Sequence, residues 1–556
     1  MVISLNKATS SSTALIPYSS KEATLEAPSV ETRVNNVSKS ALKAENQYLN
    51  TYKAIHLGGP ETPESRMVRS AAASLFPSVC TISGGKNAVE TGIMRTIPVR
   101  GGPVQSTTIE QRMRELNVPG ASIAVINNGE IEWSSGYGEL NKPVLIQAAS
   151  ISKTIAALTV LSLVEQGKIQ LDTDVSTLLD PTLWKSIDPN GLAVGDYKMT
   201  IRQLLSHSAG TTVSGFMGYH SDQEIPTLDD ILTGKGNSDP VTVAKKPGTE
   251  FNYSGGGSSI LQKVIEVIIP GKTFEQVVEE NVFVKLGMSD STYHPTKVPP
   301  SHGHTSDGSV IPGGWNIYPE LAAAGLWTTP MDLAKMARGI QKALTGENKS
   351  IIGPELANEM ISPQVKNNPN SPGVGLGVFI AESNSTTYFF HGGTNIGFQC
   401  FFISNTNGQG AVVMTNSDSG RDLYNEIIPA IAKVYNWPEA NNLPGFPSLL
   451  SSSELKAMEK PIDLNKWKLA EGTYKFETPE ETYEVGISSK EEKMFVNLKE
   501  GEFELVLLTE NIAAYKSPWG AEVVRFQKTE DSFTSLKVFG DDYSKVDPSP
   551  SLRFPK

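Results

Sequence analysis

Two hydrophobic periods alternate along the middle of the chain, and their order is informative. "STTIEQRMREL" sets Ile109, Met113 and Leu116 on one helical face, with Thr107 and Glu110 at capping-box spacing, and Pro119-Gly120 ends the helix. "ASIAVINNGEIEWSSGYG" follows, two β-rich runs around Asn128-Gly129, which predicts a hairpin. The run from Thr154 to Gln166 reads as a helix stopped by Gly167. Between 170 and 345 the pattern is mostly helical, clearest in "IRQLLSHSAG", "SSILQKVIEVII", "TFEQVVEENVF" and "PMDLAKMARGIQKAL". After 374 the period returns to that of strands in "GLGVFIAE", "TTYFFHGG", "FQCFFIS" and "GAVVMTN", and the helical run "DLYNEIIPAIAKVYN" closes the region. Strands at both ends with helices between predict one antiparallel sheet built from both ends of the segment, flanked by helices, with a helical insertion: an α/β protein of the α+β type.

The flanks differ. Residues 1–104 are rich in Ser, Thr, Asn and Gly and hold no period, so they read as a mostly disordered extension, with one short helix possible around 63–77. Residues 105–440 carry the sheet-and-helix pattern, 441–460 read as a linker, and 461–556 as a separate domain. In that last part "GTYKFE", "ETYEVGI", "KMFVNL", "FELVLL", "AEVVRFQ" and "TSLKVF" are short alternating runs, which predict a small antiparallel β-barrel or sandwich.

Composition narrows the function classes. Net charge is −12 with no long basic run, which argues against a nucleic-acid partner. No apolar stretch reaches the roughly 18 residues of a membrane span. The first thirty residues lack an apolar signal-peptide core, so the expected location is cytoplasmic, with export lacking a cleaved signal as the alternative. Two cysteines, Cys80 and Cys400, form neither a disulfide framework nor a CxxC metal site. His302-x-His304 has no carboxylate or thiol at ligand spacing, so no metal or other cofactor is called for.

Chemistry enters with "LIQAASISKTIAAL", where Ser150 and Lys153 lie one helical turn apart in an apolar run. Alone, the pair reads equally as an N-cap and a solvated first-turn lysine. Ser-x-x-Lys occurs elsewhere in the chain, but only here does it open a strongly apolar helix after an extended run. A serine at that point would have helix-terminal N–H groups available for a developing oxyanion. In "GTEFNYSGGGSSILQ", Tyr253 precedes a glycine-rich turn and a helix; it suits either a half-buried core tyrosine or a proton relay. In "YFFHGGTNIGFQC", His391-Gly392-Gly393 lie in paired strands, where glycines mark the close approach of a ligand or another backbone. His207 in "LLSHSAG" reads as a packing and hydrogen-bonding residue.

Ser-x-x-Lys, then Tyr-Ser-x, then His-x-Gly, in this order and spacing, resemble the three motifs of the serine β-lactamase and penicillin-binding-protein-like hydrolases, nearest the class C type. "TIRQLLSHSAG", "VEQGKIQLDTDV", "KPGTEFNYSGGG", "KLGMSDSTY" and "ELAAAGLWTTPMDLAK" extend the resemblance over about residues 107–437. It implies an α/β sheet with an all-helical subdomain and a site at their junction. By the same resemblance Ser150 is the nucleophile, Lys153 the adjacent general base and Tyr253 a base or proton shuttle. His391 stands in place of a motif lysine. The backbone N–H groups of Ser150 and Thr394 form the oxyanion hole, and Gly255, Gly392 and Gly393 lie against substrate. Two departures stand out. Gly255 replaces the asparagine of Tyr-x-Asn, and His391 gives up a permanent cation. Both point from β-lactams toward a small ester, amide or D-amino-acid peptide as the substrate and expected partner, with the oligomeric state left open. A weak β-lactamase or D,D-carboxypeptidase is the runner-up, and a non-catalytic binding or scaffold protein that keeps the fold is the rival of another class.

Overall fold

The structure, a computed structural model, describes residues 77–95, 106–294, 300–347, 351–366, 373–383, 385–438, 462–477, 482–499, 501–517, 520–529, 532–538 and 541–546. The expected linker at 441–460 and residues 63–76 of the possible early helix lie outside them. The chain divides into two units, 1–81 and 82–556, and of the first only the start of one helix, Pro77–Thr91, is described.

The predicted antiparallel sheet is present and has eight strands in the order β2-β1-β10-β9-β8-β7-β6-β5. Strand β1 (Gly120–Asn127) pairs with β10 (Gly410–Thr415) from Ala121↔Thr415 to Ile126↔Gly410, so the two ends of the segment meet as neighbouring strands. Asn128 and Gly129 both take positive φ, 52° and 73°, the twist that returns β1 tightly into β2 (Glu130–Gly138). The other strands are β5 (Val365–Lys366), β6 (Gly373–Val374), β7 (Phe379–Ser383), β8 (Thr386–Asn395) and β9 (Phe398–Asn405). A separate two-stranded piece joins β3 (Ile146–Gln147) to β4 (Trp327–Thr328).

The sheet is covered on both faces. One face carries Ile126, Phe389, Phe402, Val412 and Met414 into the large core shared with helices Ser152–Glu165, Gly255–Ile268 and Pro330–Leu344. The other packs Ile123, Phe390, Ile403 and Val413 against Leu423, Ile427 and Ile431 of helix Gly420–Val434. Burial on both faces explains why β9 and β10 read as continuous apolar runs rather than alternating ones. Two local expectations shift. The first helix after residue 106 is capped by Thr108, not Thr107, because Thr107 is taken up in a bridge to Ile93. Val89, near the end of helix Pro77–Thr91, and Ile93, just beyond it, are fully buried in the second core.

The C-terminal part closes into an eight-stranded antiparallel barrel: β11 (Gly472–Glu477), β12 (Thr482–Lys490), β13 (Lys493–Leu498), β14 (Gly501–Leu507), β15 (Ile512–Ser517), β16 (Gly520–Lys528), β17 (Phe533–Val538) and β18 (Asp541–Val546). Six of these match the predicted runs. "IAAYKS" and "DDYSKV" were missed because neither alternates apolar and polar residues. Trp467 fills part of the interior, edge-on to Phe526 and stacked on Phe533, with its Nε1–H donated to the Thr509 carbonyl at 3.0 Å. No helix among the described residues is long and apolar enough to cross a membrane.

Candidate active site

The candidate nucleophile stands on a strained turn. Ala149 adopts φ +48°, a left-handed conformation costing an alanine roughly 1–2 kcal/mol, immediately before Ser150. The turn is held from several directions. The Ser152 hydroxyl donates to the Ala149 carbonyl at 2.5 Å and accepts from Leu326 N–H at 3.1 Å, and Ala148 N–H donates to the Leu326 carbonyl at 2.9 Å. Residues 149–151 form one 3₁₀ turn and the α-helix starts at Ser152, so Ser150 caps nothing and its hydroxyl remains available.

Lys153, in the first turn of helix Ser152–Glu165, is only 5% exposed. The solvated-lysine reading therefore fails. Its Nζ donates to Ser150 Oγ at 3.0 Å and to the Ala323 carbonyl at 2.8 Å, and lies 5.1 Å from the centre of the Tyr253 ring. Tyr253 immediately precedes Ser254, whose hydroxyl caps helix Gly255–Ile268 by accepting from Gly257 N–H at 2.8 Å. The expected glycine-rich turn is thus the first turn of this helix. The phenol ring sits 4.4 Å from His207, 6.3 Å from Phe379 and 6.3 Å from His391.

Strand β8 brings in the remaining candidates. Its pairing with β7 ends at Phe379↔Phe390, whereas its pairing with β9 runs on to Asn395↔Phe398. Residues 391–395 therefore have a strand on one side only. The nucleophile turn presses on this stretch: a Cβ at Gly393 would stand 2.1 Å from the Ala148 carbonyl oxygen. The close approach anticipated for the His-Gly-Gly stretch is thus, at Gly393, that of another backbone. Thr394 is exposed and donates its hydroxyl to Gln399 Oε1 at 2.8 Å. Gly392 is half-buried, while Gly255 is buried, with the Phe216 ring and Ser214 carbonyl both 3.1 Å from where its Cβ would be.

His391 is neutral. Its Nδ1 lies 2.6 Å from the Gly392 carbonyl, which requires Nδ1–H to donate, so in the neutral ring the lone pair is on Nε2. That Nε2 is buried with no partner. Burial, and secondarily the charge of Lys153, push the imidazole down to about 3. His207 is also held well below its ordinary range by burial, with Lys153 and His391 adding to the effect.

Sequence reasoning missed the supporting residues. Asn395 donates to Gln147 Oε1 at 2.7 Å and to the Ala324 carbonyl at 3.2 Å, and Gln147 donates to the Asn316 carbonyl at 2.8 Å. Glu320 starts the short helix Leu321–Ala324 that supplies the Ala323 carbonyl to Lys153. It is fully buried with both carboxylate oxygens unpartnered, and burial pushes it up to about 7. "YPELAAAGL" carries no periodic signal for such a carboxylate, and only tertiary packing reveals it. Elsewhere, His304 Nδ1 is used on the Asn416 carbonyl at 2.9 Å, and no group of three or more metal-ligating side chains occurs among the described residues. Cys400 is buried, with its thiol pushed up to about 12, which makes it unreactive.

Comparison with known proteins gives the family and the fold. The β-lactamase family profile matches residues 106–436. Protein flp of Staphylococcus aureus (strain MW2) is 26% identical over 359 residues, 60% of this chain and 66% of that protein. The chain thus spans just under two thirds of the length of this curated relative. The octameric penicillin-binding protein homologue from Pyrococcus abyssi superposes with a TM-score of 0.53 at 21% identity, covering 78% of this chain and 97% of that one. The structure of SurE does so with a TM-score of 0.50 at 19% identity, covering 79% and 97%.

Proposed function

The chain belongs to the β-lactamase family, and from that premise we propose that it is a metal-independent serine hydrolase acting through an acyl-enzyme on Ser150. The observation that carries this reading is the Lys153 Nζ to Ser150 Oγ contact of 3.0 Å, made by a buried lysine beside the Tyr253 ring. Ser150 Oγ attacks the substrate carbonyl and its proton passes to Lys153, which must first have lost one of its own. The backbone N–H groups of Ser150 and Thr394 receive the oxyanion, the second at the stretch of β8 that lacks a strand on one side. Tyr253 carries the proton to the leaving group. Water then attacks the acyl-enzyme and restores the serine.

The substrate is a small ester, amide or D-amino-acid peptide without a carboxylate at the position His391 faces. The resemblance expects a cation there, and this chain has a buried imidazole held at about 3, which offers an acceptor instead. That favours the neutral ester or amide over a β-lactam or a peptide carboxylate. The experiment is intact-protein mass spectrometry after exposure to a fluorophosphonate. One adduct on the wild type, absent from Ser150→Ala, is expected. No adduct on folded wild-type protein would leave the binding-protein reading in its place.

A further inference from the structure

The mechanism above leaves His207 unused, although no other side chain makes a closer ring contact with Tyr253 among those described. Three contacts converge. The His207 carbonyl accepts from Asn252 N–H at 2.7 Å, and its Nδ1 accepts from Ser254 N–H at 3.2 Å, so the backbone is gripped on both sides of Tyr253. Between these two bonds the imidazole lies 4.4 Å from the phenol, tilted by 37°. An Nδ1 that accepts an N–H must be unprotonated, so the ring is the neutral Nε2–H tautomer; a protonated ring would set two N–H groups against each other.

The backbone around His207 is specialised for this. His207 itself takes φ +53°. The segment is also tied to the lysine helix: Leu205 O accepts from Gly377 N–H at 2.9 Å, and Gly377 O accepts from Thr154 Oγ1 at 2.8 Å, one residue beyond Lys153. On the far side, Asn252 Nδ2 donates to Thr211 O and Ser254 Oγ to Thr212 O, both at 2.7 Å. A continuous chain of hydrogen bonds therefore runs from the Lys153 helix through residues 205–212 to the Tyr253 turn.

We infer that His207 is a positioning residue, which as a neutral imidazole fixes the Tyr253 phenol relative to Lys153. Its catalytic consequence rests on the reading of Tyr253 as proton shuttle; its geometric consequence does not. The residue acts through Tyr253 and touches no reacting atom.

The test uses the full chain with p-nitrophenyl acetate. His207→Gly removes the ring without straining a left-handed backbone, and His207→Asn keeps that backbone and restores a short acceptor for Ser254 N–H. His207→Gly is expected to lower kcat by about a hundredfold, the loss typical of a misplaced catalytic group, with KM changed by less than about threefold. His207→Asn should recover at least about tenfold of that loss. In a Tyr253→Phe background His207→Gly should cost almost nothing more, because the group it positions is gone. Wild-type rates in His207→Gly, or equal losses in both backgrounds from folded protein, would overturn the inference. Should His207→Gly fail to fold, His207→Ser, too short to reach Ser254 N, is read against the same outcomes. Should the wild type hydrolyse nothing, crystal structures of the variants separate the two ideas: the Tyr253 ring must move relative to Lys153 in His207→Gly and keep its wild-type place in His207→Asn. A ring unmoved in His207→Gly overturns the positioning role, whatever becomes of the hydrolase reading.

Discussion

The sheet of the hydrolase region and the C-terminal barrel have eight strands each and handle their edges and polar groups in opposite ways. The barrel closes on itself, so every strand is paired on both sides, and ion pairs such as Lys490–Glu502, Lys493–Glu504 and Lys475–Glu484 lie on its outer surface. The sheet is open, helices cover both faces, and its β8 strand runs past β7 for five residues with a strand on one side only. Against that stretch lie a left-handed alanine, a buried lysine, a buried imidazole with an unpartnered nitrogen and, beneath the lysine's anchor, an unpartnered carboxylate. Strain and buried polarity are costly, and they persist where surrounding contacts over-determine them. The comparison teaches that an unpaired strand edge is where the turn that carries Ser150 can press directly on the backbone of β8. A closed barrel has no such edge to offer.

The sharpest way to break the comparison is to place the same methyl group in both regions. At Gly393 an added Cβ meets the Ala148 carbonyl oxygen at 2.1 Å and must displace the turn that carries Ser150. Gly393→Ala is expected to cut fluorophosphonate labelling by about a hundredfold or more and to lower stability by about 1–3 kcal/mol through overpacking. At Gly486 in β12 the added Cβ meets only the Asn497 side chain, at 3.2 Å. Gly486→Ala should keep labelling at the wild-type rate and change stability by less than about 1 kcal/mol. Labelling kinetics with thermal melts of both variants check this; equal effects would mean the β8 edge does not set the nucleophile.

The two regions also differed in how far the sequence revealed them. Barrel strands such as β13 alternate buried and less buried residues, so period alone identified six of the eight; "IAAYKS" and "DDYSKV" escaped because their apolar positions do not alternate. In the sheet, β10 is buried at all six positions, and its identity came from its length and its β-branched residues. Ser150, Lys153, Tyr253 and His391 were legible as candidates through motif order, and the fold brings all four together. Their states were not legible. That Lys153 is buried and that Ser150 sits in a 3₁₀ turn before the helix depend on contacts with residues 323 and 148, and that His391 is neutral depends on its burial and on the charge of Lys153, all set by tertiary packing. His207 had no local signature because its partner Ser254 lies outside its own segment, and Glu320 had none because its burial is set by packing alone.

Buried ionisable groups in the hydrolase region give the next effect. His391 binds its proton only near pH 3, whereas an unfolded histidine binds one near 6.5, so its depressed value removes stability progressively as pH falls from about 6.5 toward 3, in total on the order of 5 kcal/mol. Glu320 has the opposite sign. Raised to about 7, it favours folding below about 4.5, and that advantage is lost as pH rises through 7, on the order of 3 kcal/mol. Glu320→Gln, which keeps the neutral shape, should therefore be more stable than the wild type at pH 8 and indistinguishable from it at pH 4. Urea melts at the two pH values check the sign. Stabilisation at pH 4 instead of pH 8 would mean the carboxylate is ionised in the fold.

The smallest effect belongs to the barrel surface and fixes the other end of the comparison. Lys493 and Glu504 pair at 2.8 Å on adjacent strands, but their side chains remain 57% and 49% exposed. Water and salt screen such a pair, and holding two long side chains together costs rotamer entropy. A double-mutant cycle with Lys493→Ala and Glu504→Ala should give a coupling below about 1 kcal/mol, shrinking further as salt is raised from 0.05 to about 1 M. Fluorophosphonate labelling of Ser150 should be unchanged in all three variants. A coupling of several kcal/mol, or any loss of labelling, would mean that charge on this face of the barrel is not inexpensive or bears on the site. The contrast between costly buried polarity at β8 and inexpensive surface charge in the barrel would then have to be withdrawn.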